Sequence, residues 1–139
     1  MRLSTVLAAA AVAAAFSSNL SAQGTPAAQS SCTLQAAPGA SEQRLTSGGR
    51  ERTYLLFVPP SYDGRTPLPL VLEMHGSGGT AERQAATSQF IALAEREKFL
   101  VASLQAAAEG NRWNVPLTSE RPDDVRYVSD VIDHVAAHA

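Results

Sequence analysis

Five consecutive residues, His75-Gly76-Ser77-Gly78-Gly79, are the part of this sequence best suited to chemistry. Three glycines in five positions free the main chain to adopt conformations that other residues avoid. Such a loop can aim backbone N–H groups into a cleft and hold a developing oxyanion there without reorientation. Phosphate binding is the competing use of a glycine-rich loop. Gly76-Ser77-Gly78-Gly79 lacks both the Lys-Ser/Thr of a phosphate loop and the spacing of a dinucleotide fingerprint. A tight turn without a ligand is the plain structural alternative.

Other candidates are more isolated. His75 has the side chain of a base or a ligand. His134 and His138 lie four apart, a helical spacing that can bind metal, but no third ligand is evident and the pattern lacks the glutamate of a zinc-protease helix. Histidines in a last helical turn also suit the negative end of the dipole. Trp113 either lines a substrate cleft or covers the core. Asp123 and Asp124 stand where a helix begins and read as capping residues. Glu73, inside an apolar run, needs a partner, a shifted pKa or a place at the wet end of its strand.

The surrounding elements say where these residues are held. Arg52 to Val58 is β-branched and aromatic and ends at Pro59-Pro60, which predicts a strand. Ser61-Tyr62-Asp63-Gly64 is a turn. Leu70 to Met74 is a short, almost continuous apolar run, as in a strand covered on both faces of a parallel sheet. The glycine loop follows it directly, which is where open α/β sheets bind ligands. Thr80 caps a helix that carries Glu82 in its first turn and runs to about Lys98, with Ala86, Phe90, Leu93 and Ala94 on one face. Phe99 to Leu104 is another buried strand, and Gly110 to Glu120 is a loop. Pro122-Asp123-Asp124 opens a last helix whose apolar stripe is Val125, Val128, Ile132 and Val135. Strands alternating with helices imply an α/β fold with a largely parallel sheet. Gln23 to Gly49, rich in small and polar residues, reads as a loosely ordered lead-in, with order starting near Arg50.

Three segments together resemble the start of secreted α/β-hydrolase esterases. They are Pro59-Pro60-Ser61-Tyr62-Asp63, Pro67-Leu68-Pro69-Leu70-Val71-Leu72 and His75-Gly76-Ser77-Gly78-Gly79. The polyhydroxybutyrate depolymerase and feruloyl esterase group is the nearest in pattern. Trp113-Asn114, followed by Asp123-Asp124-Val125 opening a helix, is similar to that group as well, so the resemblance covers about residues 50–139. Arg126 and Glu73 depart from it, because the group usually has a small and an apolar residue there. The resemblance implies that the loop supplies part of an oxyanion hole. The Ser77 N–H is the first donor, Gly76 and Gly78 permit close approach, and His75 and Gly79 are structural parts of the loop. It implies an ester substrate and neither metal nor organic cofactor. The Ser77 side chain is not the expected nucleophile, because the nucleophilic serine of this fold sits in a Gly-x-Ser-x-Gly elbow with the acid and histidine after it. No such elbow occurs in this sequence. The expectation is therefore an N-terminal part of an α/β-hydrolase domain that stops before the elbow, lacks the whole triad and is inactive alone.

Composition sets the remaining limits. The 139 residues allow one small domain, and 45% hydrophobic with 17% charged residues is ordinary for a globular protein. Eleven basic against thirteen acidic residues argue against a nucleic-acid partner. Arg2, an apolar run from Leu3 to Phe16 and small polar residues to Ala22 have the order of a secretory signal peptide cleaved after Ala22. That run is too short to span a bilayer, which needs about 20 residues. The expected location is extracellular or periplasmic, with no membrane attachment after cleavage. Cys32 is then a free thiol, an intermolecular bridge or half of a pair whose partner lies elsewhere. The rival reading is a secreted, catalytically empty module that binds polyester or glycan. A half sheet would expose edge strands and an uncovered face.

Overall fold

A computed structural model describes residues 36–139; the expected signal peptide and Cys32 lie outside them. The elements in chain order are β1 (Gly39–Ser47), β2 (Arg50–Val58), β3 (Leu70–Met74), α1 (Ala81–Ser88), α2 (Phe90–Glu97), β4 (Leu100–Leu104) and α3 (Asp124–His138). The four strands form one sheet in the order β1-β2-β4-β3. β3 and β4 are parallel, whereas β1–β2 and β2–β4 are antiparallel. The sheet is therefore mixed, compatible with an α/β fold, and the expectation of a largely parallel sheet is corrected. Only the β3-to-β4 connection contains helices, and that crossover is what parallel pairing requires.

The lead-in expectation also fails over its last part, because Gly39 to Ser47 is a full strand paired along its length with β2. Gly48 and Gly49 make the two-residue hairpin turn, with φ of 56° and 75°. Positive φ at both positions is the turn whose twist matches paired strands. β1 alternates half-buried and exposed positions. Its exposed Arg44 bonds Glu42 at 2.6 Å and Glu51 at 2.9 Å, and such charges suit a sheet edge.

Period-two alternation splits the sheet into two faces. Tyr54, Leu56 and Val58 of β2 and Leu100, Ala102 and Leu104 of β4 join Tyr127, Val131 and Val135 of α3 in the larger cluster. On the opposite face Phe57 and Val101 meet Ala94 of α2, with Phe90, Ile91 and Phe99 partly buried around them. β4 is buried at all five positions, as its apolar run predicts.

Two helix readings change. The segment after the glycine loop is two helices, broken at Gln89 with φ 64°. The Thr87 hydroxyl donates to the Arg83 and Gln84 carbonyls, and the Ser88 hydroxyl accepts from the Phe90 N–H. Such local bonds give the backbone an alternative to the helical ladder. Ala86 is consequently exposed, while Ala81, Ala85 and Ala94 are buried. The Thr80 cap is as expected, its hydroxyl accepting from Arg83 N–H at 3.2 Å. In α3 the inward stripe is Asp124, Tyr127, Val131 and Val135. Val128 packs beside it, but Val125 and Ile132 are exposed. The expected stripe was displaced because two polar side chains, Asp124 and Tyr127, occupy the buried face.

Candidate functional site

Because β3 and β4 run parallel, the loops that leave their carboxyl ends lie side by side. Three hydrogen bonds join them. The Ala106 N–H donates to His75 Nε2 at 3.2 Å, the Gly78 N–H to the Asn111 carbonyl at 3.2 Å, and Trp113 Nε1 to the His75 carbonyl at 2.8 Å. Since Nε2 accepts, Nδ1 carries the ring proton and donates to the Gly76 carbonyl at 2.7 Å. His75 is buried and its ring lies 5.0 Å from that of Trp113. Its two nitrogens are thus both engaged in hydrogen bonds, one within its own loop and one to the loop after β4.

Within the loop the Gly79 N–H donates to the Gly76 carbonyl at 2.9 Å, and Gly78 has φ 75°. That is the type II turn, whose third residue needs positive φ. A Cβ on Gly79 would stand 3.1 Å from both the Gly76 carbonyl oxygen and His75 Cβ. Gly79 therefore serves close packing and Gly78 serves conformation. The Gly78 amide is committed to Asn111, which leaves this residue no N–H for an oxyanion. The amides of Gly76 and Ser77 have no partner among the described residues, and both residues are exposed. Two free donors on adjacent residues can hold an anionic oxygen.

Ser77 stands between two recesses. One, about 280 Å³, continues along the loop to Thr80, Arg83, Gln84 and Thr87. The other, about 370 Å³, is lined by Ser77, Arg112, Trp113, Val115, Pro116 and Arg121. Trp113 lines the second recess and also packs on the main core cluster.

The loop after β4 is anchored from below. Arg52 of β2 is buried, donates to Asp124 Oδ1 at 2.8 Å and to the Gln105 carbonyl at 3.3 Å, and lies 3.7 Å above the Tyr127 ring. Asp124 Oδ2 accepts the Asn114 N–H at 2.6 Å. The Asn114 amide donates to the carbonyls of Thr118 and Pro122, while its oxygen accepts the Thr118 N–H. Residues 114–122 are thereby folded onto a buried ion pair. Burial pushes the Tyr127 hydroxyl up to about 12, and that hydroxyl donates to the Thr53 carbonyl at 2.6 Å.

Asp123 caps α3, its carboxylate accepting from Arg126 N–H at 3.0 Å. Asp124 does not act as a cap. It pairs with Arg52, which sequence reasoning had placed only as the start of a strand. An arginine among the inward positions of an apolar strand was the available signal, because a buried charge demands a partner. Arg126, one departure from the resemblance, is exposed and lies 3.6 Å from Asp130. Glu73, the other, is buried and accepts from the Ser103 hydroxyl across the β3–β4 ladder. Its Oε2 has no partner. His134 and His138 stack at 4.3 Å, but Nδ1 of His134 bonds the Tyr54 hydroxyl at 2.8 Å and Nδ1 of His138 the His134 carbonyl at 2.7 Å. No cluster of three or more metal-ligating side chains occurs among the described residues. No helix among them is long and apolar enough to cross a membrane.

No protein-family model matches the chain. Over 104 residues it is 33% identical to a curated protein of Nocardia uniformis subsp. tsuyamanensis, Putative esterase NocK, in a match that takes in 70% of this chain. The chain spans 29% of the length of that relative.

Proposed function

We propose that this chain is the N-terminal portion of an exported serine ester hydrolase, of the polyhydroxyalkanoate depolymerase or feruloyl esterase kind, and that it carries the oxyanion-binding loop. The signal-like segment ending at Ala22 supports export. The likeness to a protein named as an esterase supports ester chemistry. The observation that carries the reading is the pair of free amides at Gly76 and Ser77, held beside a tryptophan-lined recess at the carboxyl end of β3. The attacking serine, its base and the acid belong to polypeptide beyond Ala139. The carbonyl carbon of the ester is attacked by that serine, its oxygen takes the negative charge, and the two N–H groups stabilise that charge.

A turn that uses only main chain allows a clean test. Proline is favoured at the second position of a type II turn. Ser77→Pro thus removes the N–H while keeping the loop. In the polypeptide continued through a Gly-x-Ser-x-Gly elbow, this change lowers kcat on a nitrophenyl ester by about 10²–10³ with little change in KM. Ser77→Ala, which keeps the N–H, stays close to wild type. A downstream reading frame without an elbow would overturn the proposal. So would turnover by the 139-residue chain that Ser77→Ala abolishes. Binding of polyester or glycan without turnover by the continued polypeptide would favour a catalytically empty binding module.

A further inference from the structure

The two recesses beside Ser77 are both lined by arginines. The larger holds Arg112 and Arg121 and the smaller holds Arg83, and no carboxylate lines either one. None of the three guanidinium groups makes an ion pair among the described residues. Glu109 and Glu120 line an adjoining cleft of about 590 Å³ that shares Arg112 and Arg121, yet neither pairs with them. The chain as a whole carries a net charge of -2, so this positive rim runs against the overall balance.

Guanidinium groups without partners at a cleft raise the local concentration of anions and match the geometry of a carboxylate. A recess of about 370 Å³ is at the small end of ligand-sized cavities and admits a chain of a few carbons. Trp113 and Pro116 give that chain an apolar wall. We propose that Arg112 and Arg121 select esters that carry a free carboxylate a few bonds from the ester carbonyl, so that the carbonyl meets the Ser77 amide while the carboxylate meets the arginines. This rests on the ester-hydrolase reading and adds to it the class of substrate.

Trp113 is the only tryptophan, so its fluorescence reports this recess directly. The full chain is titrated with monomethyl glutarate, dimethyl glutarate and glutarate. The half-ester should bind at least about tenfold more tightly than the diester at low salt, a preference lost at about 0.5 M salt as screening shortens to a few ångströms. Arg112→Gln and Arg121→Gln should each weaken the half-ester by about five- to tenfold and leave the diester unchanged. Both residues are exposed, so neither variant threatens folding. Equal affinity for half-ester and diester, variants without effect, or no binding by any of the three ligands overturns the selection of carboxylates. Glutarate binding as tightly as the half-ester would leave the arginines in place and count against the ester reading instead.

Discussion

The two faces of the sheet are built differently. The face under α3 combines the larger apolar cluster with a buried ion pair, an arginine over a tyrosine ring and an anchored loop. The face under α1 and α2 has a cluster of only three buried apolar residues beside the small Ala81 and Ala85, two short helices and a buried carboxylate with one unpartnered oxygen. The first face therefore carries the rigidity that the loops after β3 and β4 depend on. The second is a thinner cover that the chain can alter at lower cost.

That contrast breaks most sharply at Asp124. Removing one member of a buried pair leaves the other charge uncompensated, typically at about 3–5 kcal/mol. Asp124→Ala should lose that much in denaturant unfolding. It should also shift Trp113 emission to the red at low denaturant, since the Asn114 tether is lost. A loss near 1 kcal/mol, as for an exposed pair, would put the two faces on a par. Apolar truncation gives the next measure. Leu104→Ala removes a fully buried side chain and should cost about 2–5 kcal/mol. Phe90→Ala, on the thin face and only partly buried, should cost less than half as much despite the larger side chain, by the same unfolding curves.

Much of this was visible in advance, and the failures share a cause. β2, β3 and β4 are apolar runs bounded by proline, glycine or turns, and their pattern names them. β1 carries few apolar residues, and its only strong signal was Gly48-Gly49 ahead of an evident strand. The antiparallel placement of β2 against β4 depends on pairing partners that no local pattern encodes. The α3 stripe was misread because hydrophobic periodicity assumes that polar residues face water. Here Asp124 and Tyr127 face inward, each with a partner more than 70 residues away in sequence. The glycine loop was legible from residue types and position. Which of its amides remain free was not, since that depends on Asn111 from another loop.

Two smaller effects refine the comparison. Burial and the neighbouring His138 lower the His134 pKa below its ordinary value near 6.5. The unfolded chain then takes the proton first. Stability from this group is full above about pH 6.5 and declines as pH falls through that value toward the lower folded pKa. The melting temperature should therefore fall between pH 7.5 and 5.5, and His134→Gln should reduce the size of that fall. On the thin face, replacing Glu73 and Ser103 together by leucine and alanine removes both partners of a buried polar contact. Such exchanges are nearly neutral or mildly stabilising, so thermal unfolding should shift little or upward. A large loss would mean that this contact matters to the thin face as the Arg52 pair does to the other.

The crowding at Gly79 limits how this loop can vary. A library randomised over positions 76–79 and selected for a folded protein should return wide diversity at 76 and 77, a strong bias to glycine or asparagine at 78, and a bias to glycine or alanine at 79, where a methyl group stands 3.1 Å from main chain and the His75 stem and these must give by a few tenths of an ångström. Designers who wish to retune the cleft thus have two exchangeable positions, 76 and 77, beside two constrained ones, 78 and 79.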